Sequence, residues 1–236
     1  YRNYEKDWNN STYQQVNQEE QTLLVTSTVH NTHHLYATKL VLTHPLAGGT
    51  LSFGGEYSHS KRTNLFVNPQ GIVADDDSYS KEGIASAFVE YGRQIGKASL
   101  QAGVRYEHVA FDYYIKNIHR KDMSRTTDDF FPSLGLSFPI GKVQMQLGYA
   151  KDILRPSFSQ LSGEVTYNNR YTYQTGNPLL LPMTTDNISL NAIYRWASLS
   201  VGYQHIKNKV FYQSIPYSED NPSVVLFSYT NQPAYD

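Results

Sequence analysis

Four tight turns along this chain each join two segments of strictly alternating apolar and polar residues, and a long polar connection follows each pair. Successive side chains of a strand point to opposite faces, so this alternation dictates a sheet with one apolar and one polar side. Helices, whose apolar residues recur every three or four positions, do not fit it. The clearest pair is GIASAFVEYGRQ and KASLQAGVRYEH, hinged at Ile95 and Gly96. In the second segment Ala98, Leu100, Ala102, Val104 and Tyr106 share one face, and Ser99, Gln101, Gly103, Arg105 and Glu107 share the other. In the first, Ala85, Ala87, Val89 and Tyr91 alternate against Ser86 and Glu90.

Register tests the hairpins. A turn at Ile95 and Gly96 sets Tyr91 opposite Leu100, Val89 opposite Ala102 and Ala87 opposite Val104, so apolar meets apolar. A slip of one residue would break every match. A turn at Ile140 and Gly141 pairs Phe138 with Val143, Leu136 with Met145 and Leu134 with Leu147. One at Ala197 and Ser198 pairs Trp196 with Leu199 and Tyr194 with Val201, and the loop Pro45 to Gly48 pairs Leu42 with Leu51 and Leu40 with Phe53.

The strands expected are 22–29, 34–44, 49–61, 83–94, 97–112, 130–139, 142–152, 186–196, 199–213 and 224–231. Many exceed the ordinary strand of about 5–6 residues and match the roughly 9–11 that cross a bilayer. Long connections over 62–82, 113–129, 153–185 and 214–223 alternate with the tight turns. All short turns therefore fall at one rim and all long loops at the other, as in outer-membrane barrels. The fold class this implies is all-β, an antiparallel up-and-down meander of about ten long strands forming part of a large transmembrane β-barrel. A soluble antiparallel sheet also alternates, but its strands are shorter and its loops need not sort by length. On the apolar face, Tyr194 and Trp196 near one turn and Tyr57, Tyr106 and Tyr149 farther from theirs suit two interfacial girdles.

Composition narrows the partners. The 236 residues carry a net charge of −1, which argues against a nucleic-acid binder. Cysteine is absent, so neither disulfides nor Cys-based zinc sites are available. No run approaches the roughly 20 apolar residues of a spanning helix, and mean hydropathy is −0.52; a barrel needs only alternate residues to meet lipid. Segment 1–20 is expected as a polar loop; YRNYEKDWNN has no apolar core and no small-residue cleavage site, so any export signal is expected to lie outside this sequence, and the chain is expected to be an internal piece of a longer protein.

The sequence KVQMQLGYAKDILRPSFSQL, followed by RYTYQTGNPLLLP, resembles the C-terminal barrel half of TonB-dependent outer-membrane receptors, in particular the outer membrane protein β-barrel family. The residues that carry the resemblance are Arg155, Pro156, Ser157 and Phe158, then Gly176, Asn177, Pro178, Leu180 and Pro182. FVEYGRQIGKASLQAGVRYE and FFPSLGLSFPIGK are similar too, so the likeness covers 34–231; Met183 stands where the family often has an acidic residue. The resemblance implies a barrel of about 22 strands in a Gram-negative outer membrane, an N-terminal plug in its lumen, and import of a scarce ligand driven by the TonB complex. The chain would then be one partial barrel domain, 1–236, without the plug. Its partners would be membrane lipid, the plug of the same protein, TonB through a part outside this chain, and the imported ligand.

Candidate chemistry is sparse. His30, His33 and His34 are expected at a loop tip, with His44 and His59 near strand ends, but adjacent strand histidines point apart. Asp75, Asp76 and Asp77 lack the Asp-x-Asp-x-Asp-Gly pattern of a calcium loop, and no Gly-x-Ser-x-Gly elbow marks a nucleophile. No catalytic residue, metal site or cofactor is therefore assigned, and an enzyme is not expected. In the loop 153–185, Tyr167, Arg170, Tyr171 and Tyr173 are the ligand-contact candidates, being of the residue types that dominate binding hot spots. Arg105, Glu107, Gln144 and Gln146 are expected to face the lumen, together with Gln101, Ser133, Asn191 and Gly202. Two alternatives to the receptor stay open: a small closed outer-membrane barrel acting as an enzyme or adhesin, and a soluble β-sheet binding module.

Overall fold

A computed structural model of the chain describes residues 2–16, 22–219, 222–232 and 234. The strands are β1 (Arg2–Val16), β2 (Thr22–Leu46), β3 (Gly49–Val67), β4 (Asp76–Ile95), β5 (Ala98–Ile115), β6 (Ile118–His119), β7 (Arg125–Ile140), β8 (Val143–Leu154), β9 (Val165–Asn169), β10 (Thr172–Thr175), β11 (Met183–Tyr194), β12 (Ala197–Lys207), β13 (Lys209–Pro216) and β14 (Val225–Gln232). A single turn of helix, α1 (Phe158–Leu161), follows β8, and a 3₁₀ turn spans Lys121–Met123. One sheet runs β1-β2-β3-β4-β5-β7-β8-β11-β12 with β6 beside β5, every pairing antiparallel between neighbours along the meander.

The pairing keeps the expected faces but shifts the expected partners. Ile95 pairs with Ala98 and Val89 with Val104; Ile140 pairs with Val143 and Leu136 with Leu147; Leu46 pairs with Gly49 and Leu42 with Phe53. Each register lies two residues from the expected one. The cause is turn chemistry: Gly96 (φ 59°) and Gly141 (φ 60°) take the first of two loop positions, and Ala47 (φ 50°) with Gly48 (φ 73°) takes both. Two-residue hairpins favour such mirror-image turns because they match the strand twist. At the last hairpin the loop is Arg195 (φ 45°) and Trp196, so Tyr194 pairs with Ala197 and Trp196 stands 89% exposed at the tip rather than opposite Leu199. Every displacement is even, and an even displacement leaves each side chain on its face.

Two continuous rows result. Leu42, Phe53, Val89 and Val104 are successive partners across β2 to β5, and Leu100, Leu136, Leu147, Leu190 and Val201 across β5 to β12. The opposite face carries rows such as Gln101, Gly135, Gly148, Ser189 and Gly202.

Several strands are longer than expected. β3 reaches Val67, β4 begins at Asp76 and β5 ends at Ile115, so the connection expected over 62–82 contracts to 68–75. Ser58, Ser60, Arg62, Asn64, Ser78, Ser80 and Glu82 alternate with residues that are themselves polar in part, which hides the period while backbone pairing continues. For the same reason β1 occupies most of the segment expected as a polar loop, and β2 runs without a break through His30, His33 and His34, which are mid-strand rather than at a tip.

A second sheet, β13-β14-β10-β9, is built from the long loop and the chain beyond β12. Asn208 (φ 56°) separates β12 from β13, which the sequence reads as one strand. Here β10 pairs with β14 in parallel, a departure from a purely antiparallel nearest-neighbour scheme that the loop's return across the sheet imposes. Buried residues cluster where this sheet meets the polar-row face: Val25, Phe66, Val73, Tyr167, Tyr173 and Val224 in one group, and Phe111, Tyr113, Leu161 and Leu180 in another. Asn68, 3% exposed, organises the β3–β4 connection. Its Nδ2 donates to the Thr26 carbonyl at 3.0 Å, and its Oδ1 accepts from the Ile72 N–H at 2.7 Å.

Candidate functional site

The residues after β8 fold back onto the polar-row face, and the sequence dictates how. Pro156 stops the strand, and Ser157 caps α1: its Oγ accepts from the Gln160 N–H at 3.3 Å, while Gln160 Oε1 accepts from the Ser157 N–H at 2.8 Å. That reciprocal pair satisfies two otherwise orphaned helix donors. Phe158 then lies under the Arg62 guanidinium (5.3 Å to the ring centroid) and edge-on to His33 (4.8 Å).

Gly176 closes the loop. A Cβ there would lie 2.4 Å from the Ser162 carbonyl oxygen and 2.6 Å from those of Ser159 and Gln160, so only glycine passes. Next to it the Asn177 N–H donates to the Gln160 carbonyl at 2.6 Å, and Asn177 Nδ2 donates to the Tyr229 carbonyl at 2.9 Å. Pro178 accepts from the Arg125 guanidinium at 3.1 Å, and Leu180 is fully buried. The motif residues 155–158 and 176–182 thus form one clamp that holds the loop on the wall.

An ionic network ties the clamp to the strands. The Glu107 carboxylate, with only 5% of its side chain exposed, accepts from Arg105 Nε at 2.6 Å and from the Arg155 guanidinium. Arg105 also reaches Glu56 at 3.4 Å, and Lys39 reaches Glu56 at 3.8 Å. Burying charge costs far less when each group is paired, so Glu107 and Arg155 stabilise one another where neither would sit alone. A further carboxylate, Glu164, lies in the connection between α1 and β9. Burial, above all, pushes its carboxyl up from the ordinary range; the Asn64 side chain and Arg62 act the other way, and Asp76 adds to the rise.

Of the four loop candidates, Tyr167 and Tyr173 are buried in the aromatic core, their ring centroids 5.5 Å apart. Arg170 and Tyr171 stand exposed at the β9–β10 tip, the guanidinium 4.3 Å over the ring. Arg105, Glu107, Gln144 and Gln146 all fall on the polar-row face. Gln144 donates to Ser137 at 2.8 Å. Toward the short-turn rim the same face holds a groove of about 350 Å³ lined by Thr50, Ser52, Glu90, Gln101, Gly103 and Ser133.

Sequence reasoning missed Glu56 and Lys39, although both lie on the polar phase of their strands and parity identifies them. It could not have found the Arg155–Glu107 pair, which exists only because the loop folds back. Asp75 and Asp76 are consumed locally, accepting from the Asn68 N–H at 2.7 Å and from Asn64 Nδ2 at 2.8 Å. Among the described residues no group of histidine and acidic side chains is placed to hold a metal ion.

The outer membrane protein β-barrel family matches residues 1–234. This chain belongs to that family. As a family member it is an outer-membrane protein, and its long strands are segments of a transmembrane β-barrel. No curated protein sequence matches it. Among solved structures, a ferric enterobactin receptor mutant from Pseudomonas aeruginosa in complex with enterobactin is 18% identical, with a TM-score of 0.56, covering 99% of this chain and 37% of its own. The siderophore receptor PirA from Acinetobacter baumannii is 16% identical with a TM-score of 0.53, again over 99% and 37%. The copper transporter OprC is 13% identical with a TM-score of 0.57, over 89% and 34%. These likenesses are of fold, and the family member spans little more than a third of each of those chains.

Proposed function

We propose that the chain supplies barrel wall and extracellular loop to a TonB-dependent outer-membrane receptor that binds and imports a scarce ligand. The observation that carries this reading is the pairing of opposites on one sheet: an unbroken apolar face, with Leu134 49%, Leu147 42% and Val201 54% exposed, backed by a polar face that is partly covered by the chain's own loop. Exposed apolar surface of that extent is rare on soluble monomers. In a membrane it is the lipid face, and the polar face is the lumen wall, where water and the plug of the full-length protein accommodate Arg105, Glu107, Gln144 and Gln146. Tyr36, Tyr57, Tyr106, Phe130, Tyr149 and Tyr203 share the apolar face and form the girdle toward the long-loop rim.

On this reading the loop clamp is a rigid mount. It presents Arg170 and Tyr171 at the mouth of the lumen, while Tyr167 and Tyr173 anchor the tip from below. Function concentrates in loops held by a rigid scaffold, and a guanidinium stacked on a phenol offers an anionic or aromatic ligand both charge and a flat face. The barrel relatives carry names that specify enterobactin, a siderophore or copper, so a metal or metal chelate is the ligand class to test first.

The test uses the full-length receptor in a strain lacking it, with uptake of ferric enterobactin, ferric citrate and copper measured in turn. Uptake of one of them that stops when TonB is deleted supports the proposal. Unchanged uptake without TonB, or a receptor that moves none of the three while retaining another activity, refutes it.

A further inference from the structure

Beyond the girdle, on the same outward face, two cations stand together. Lys61 on β3 and Lys81 on β4 are register partners, and His34 on β2 is opposite Lys61. Like charges directly opposite in a ladder repel, yet among the described residues neither lysine has a carboxylate within ion-pairing distance. The one acidic register partner, Asp112 on β5, turns instead to His119 at 3.1 Å.

What holds the pair is aromatic. Tyr79 and Tyr114 stack with centroids 4.4 Å apart and planes 9° from parallel. The Lys61 ammonium lies 5.0 Å from the Tyr79 centroid, and the Lys81 ammonium lies 5.7 Å from Tyr79 and 5.2 Å from Tyr114. Cation–π contact fixes the two ammonium groups without neutralising them. Two converging positive charges on an aromatic floor are built to receive a multivalent anion.

Their height says which anion. Lys61 lies four residues beyond Tyr57 on β3, and its partner position on β2, His34, lies two beyond Tyr36. At roughly 3.3 Å per residue this is about 7–13 Å along the strands, or about 5–9 Å above the girdle after a tilt of about 45°. That is the plane of lipid headgroups. We propose that Lys61 and Lys81, on the Tyr79–Tyr114 stack, bind a phosphate group of an outer-leaflet lipid headgroup. The proposal rests on the reading of the apolar face as the lipid face, and it adds a lipid-specific site to it.

The experiment places the full-length receptor in phosphatidylcholine nanodiscs and titrates in diphosphorylated lipid A as the probe. Heat-dependent gel mobility of every variant reports folding. Binding is expected to weaken about 25-fold in K61Q/K81Q, the product of two roughly fivefold contributions from lysines near an anionic surface. It should persist in K61R/K81R and in K97Q/K142Q, whose changes lie at the short-turn rim. Inorganic phosphate at the same phosphate concentration should not displace the lipid. Equal binding by the parent and K61Q/K81Q overturns the site, and displacement by inorganic phosphate overturns its assignment to lipid. A parent that inserts normally but does not bind lipid A overturns the site and leaves the barrel reading standing.

Discussion

Replacing Gly176 with alanine tests whether the loop clamp is what fixes the extracellular face. The added methyl would sit 2.4–2.6 Å from three backbone carbonyl oxygens at the end of α1, none of which can swing aside as a side chain could. Ordinary contact needs roughly 1 Å more, so the segment 176–182 must lift from α1. That movement stretches the 2.6 Å hydrogen bond from the Asn177 N–H to the Gln160 carbonyl. Overpacking costs about 1–3 kcal/mol and the lost hydrogen bond about 1 kcal/mol, giving about 2–4 kcal/mol against the docked loop. In hydrogen exchange of the full-length receptor, such a loss accelerates opening of residues 157–182 roughly 30- to 700-fold, while amides of β7 and β8 keep the parental rate. Parental exchange in the loop of Gly176→Ala would refute the clamp.

Three further outcomes are expected. Glu107→Ala leaves Arg155 without its carboxylate and should lower stability to urea by about 1–3 kcal/mol, discounted because both arginines are about a third exposed; an unchanged midpoint would contradict the network. Glu164 has its carboxyl raised by burial, so the docked loop favours the protonated form. Docking is then strongest in mild acid and weakens as pH climbs from the ordinary carboxylate range through the raised value. Proteolysis of the loop should accordingly be faster at neutral pH than in mild acid for the parent, and this pH dependence should shrink for Glu164→Gln, with the remainder from Glu82, whose carboxyl burial also raises. Finally, Arg170→Ala with Tyr171→Ala should weaken ligand binding without loosening the loop, whereas Tyr173→Ala should loosen it, as limited proteolysis would distinguish.

What was legible in the sequence divides along physical lines. The faces of β4, β5, β7, β8 and β12 follow from period-two alternation alone, and even the misplaced registers kept them because a glycine one position earlier in its turn moves partners by two. Where both faces carry polar side chains, as along Ser58 to Asn64, whose inner side the loop covers, and through His30 to His34, alternation of polarity vanishes and strand ends vanish with it. The loop was only half readable. Its aromatic richness marked Tyr167, Arg170, Tyr171 and Tyr173 together, but which were core and which surface depends on β10 pairing with β14, a contact between residues 172–174 and 225–227 that no local pattern encodes. The Arg-Pro-Ser-aromatic and Gly-Asn-Pro signals were visible as motifs, and their role as the two jaws of a clamp emerged only once Gly176 lay against α1.

Leu147 and Gln146 are adjacent on β8 and face opposite ways: Leu147 pairs with Leu136 and Leu190, and Gln146 with Ser137 and Asn191. In the full-length receptor folded into lipid vesicles, Leu147→Arg should cost about 2–4 kcal/mol, the penalty for arginine on the lipid face near the bilayer midplane. Gln146→Arg should cost much less, because water reaches the lumen wall. Equilibrium unfolding of the two variants from the same vesicles reads the difference directly. A large penalty at Leu147 with a small one at Gln146 is the result expected of a barrel wall; equal tolerance at the two positions would contradict the assignment of faces and the transmembrane barrel with it.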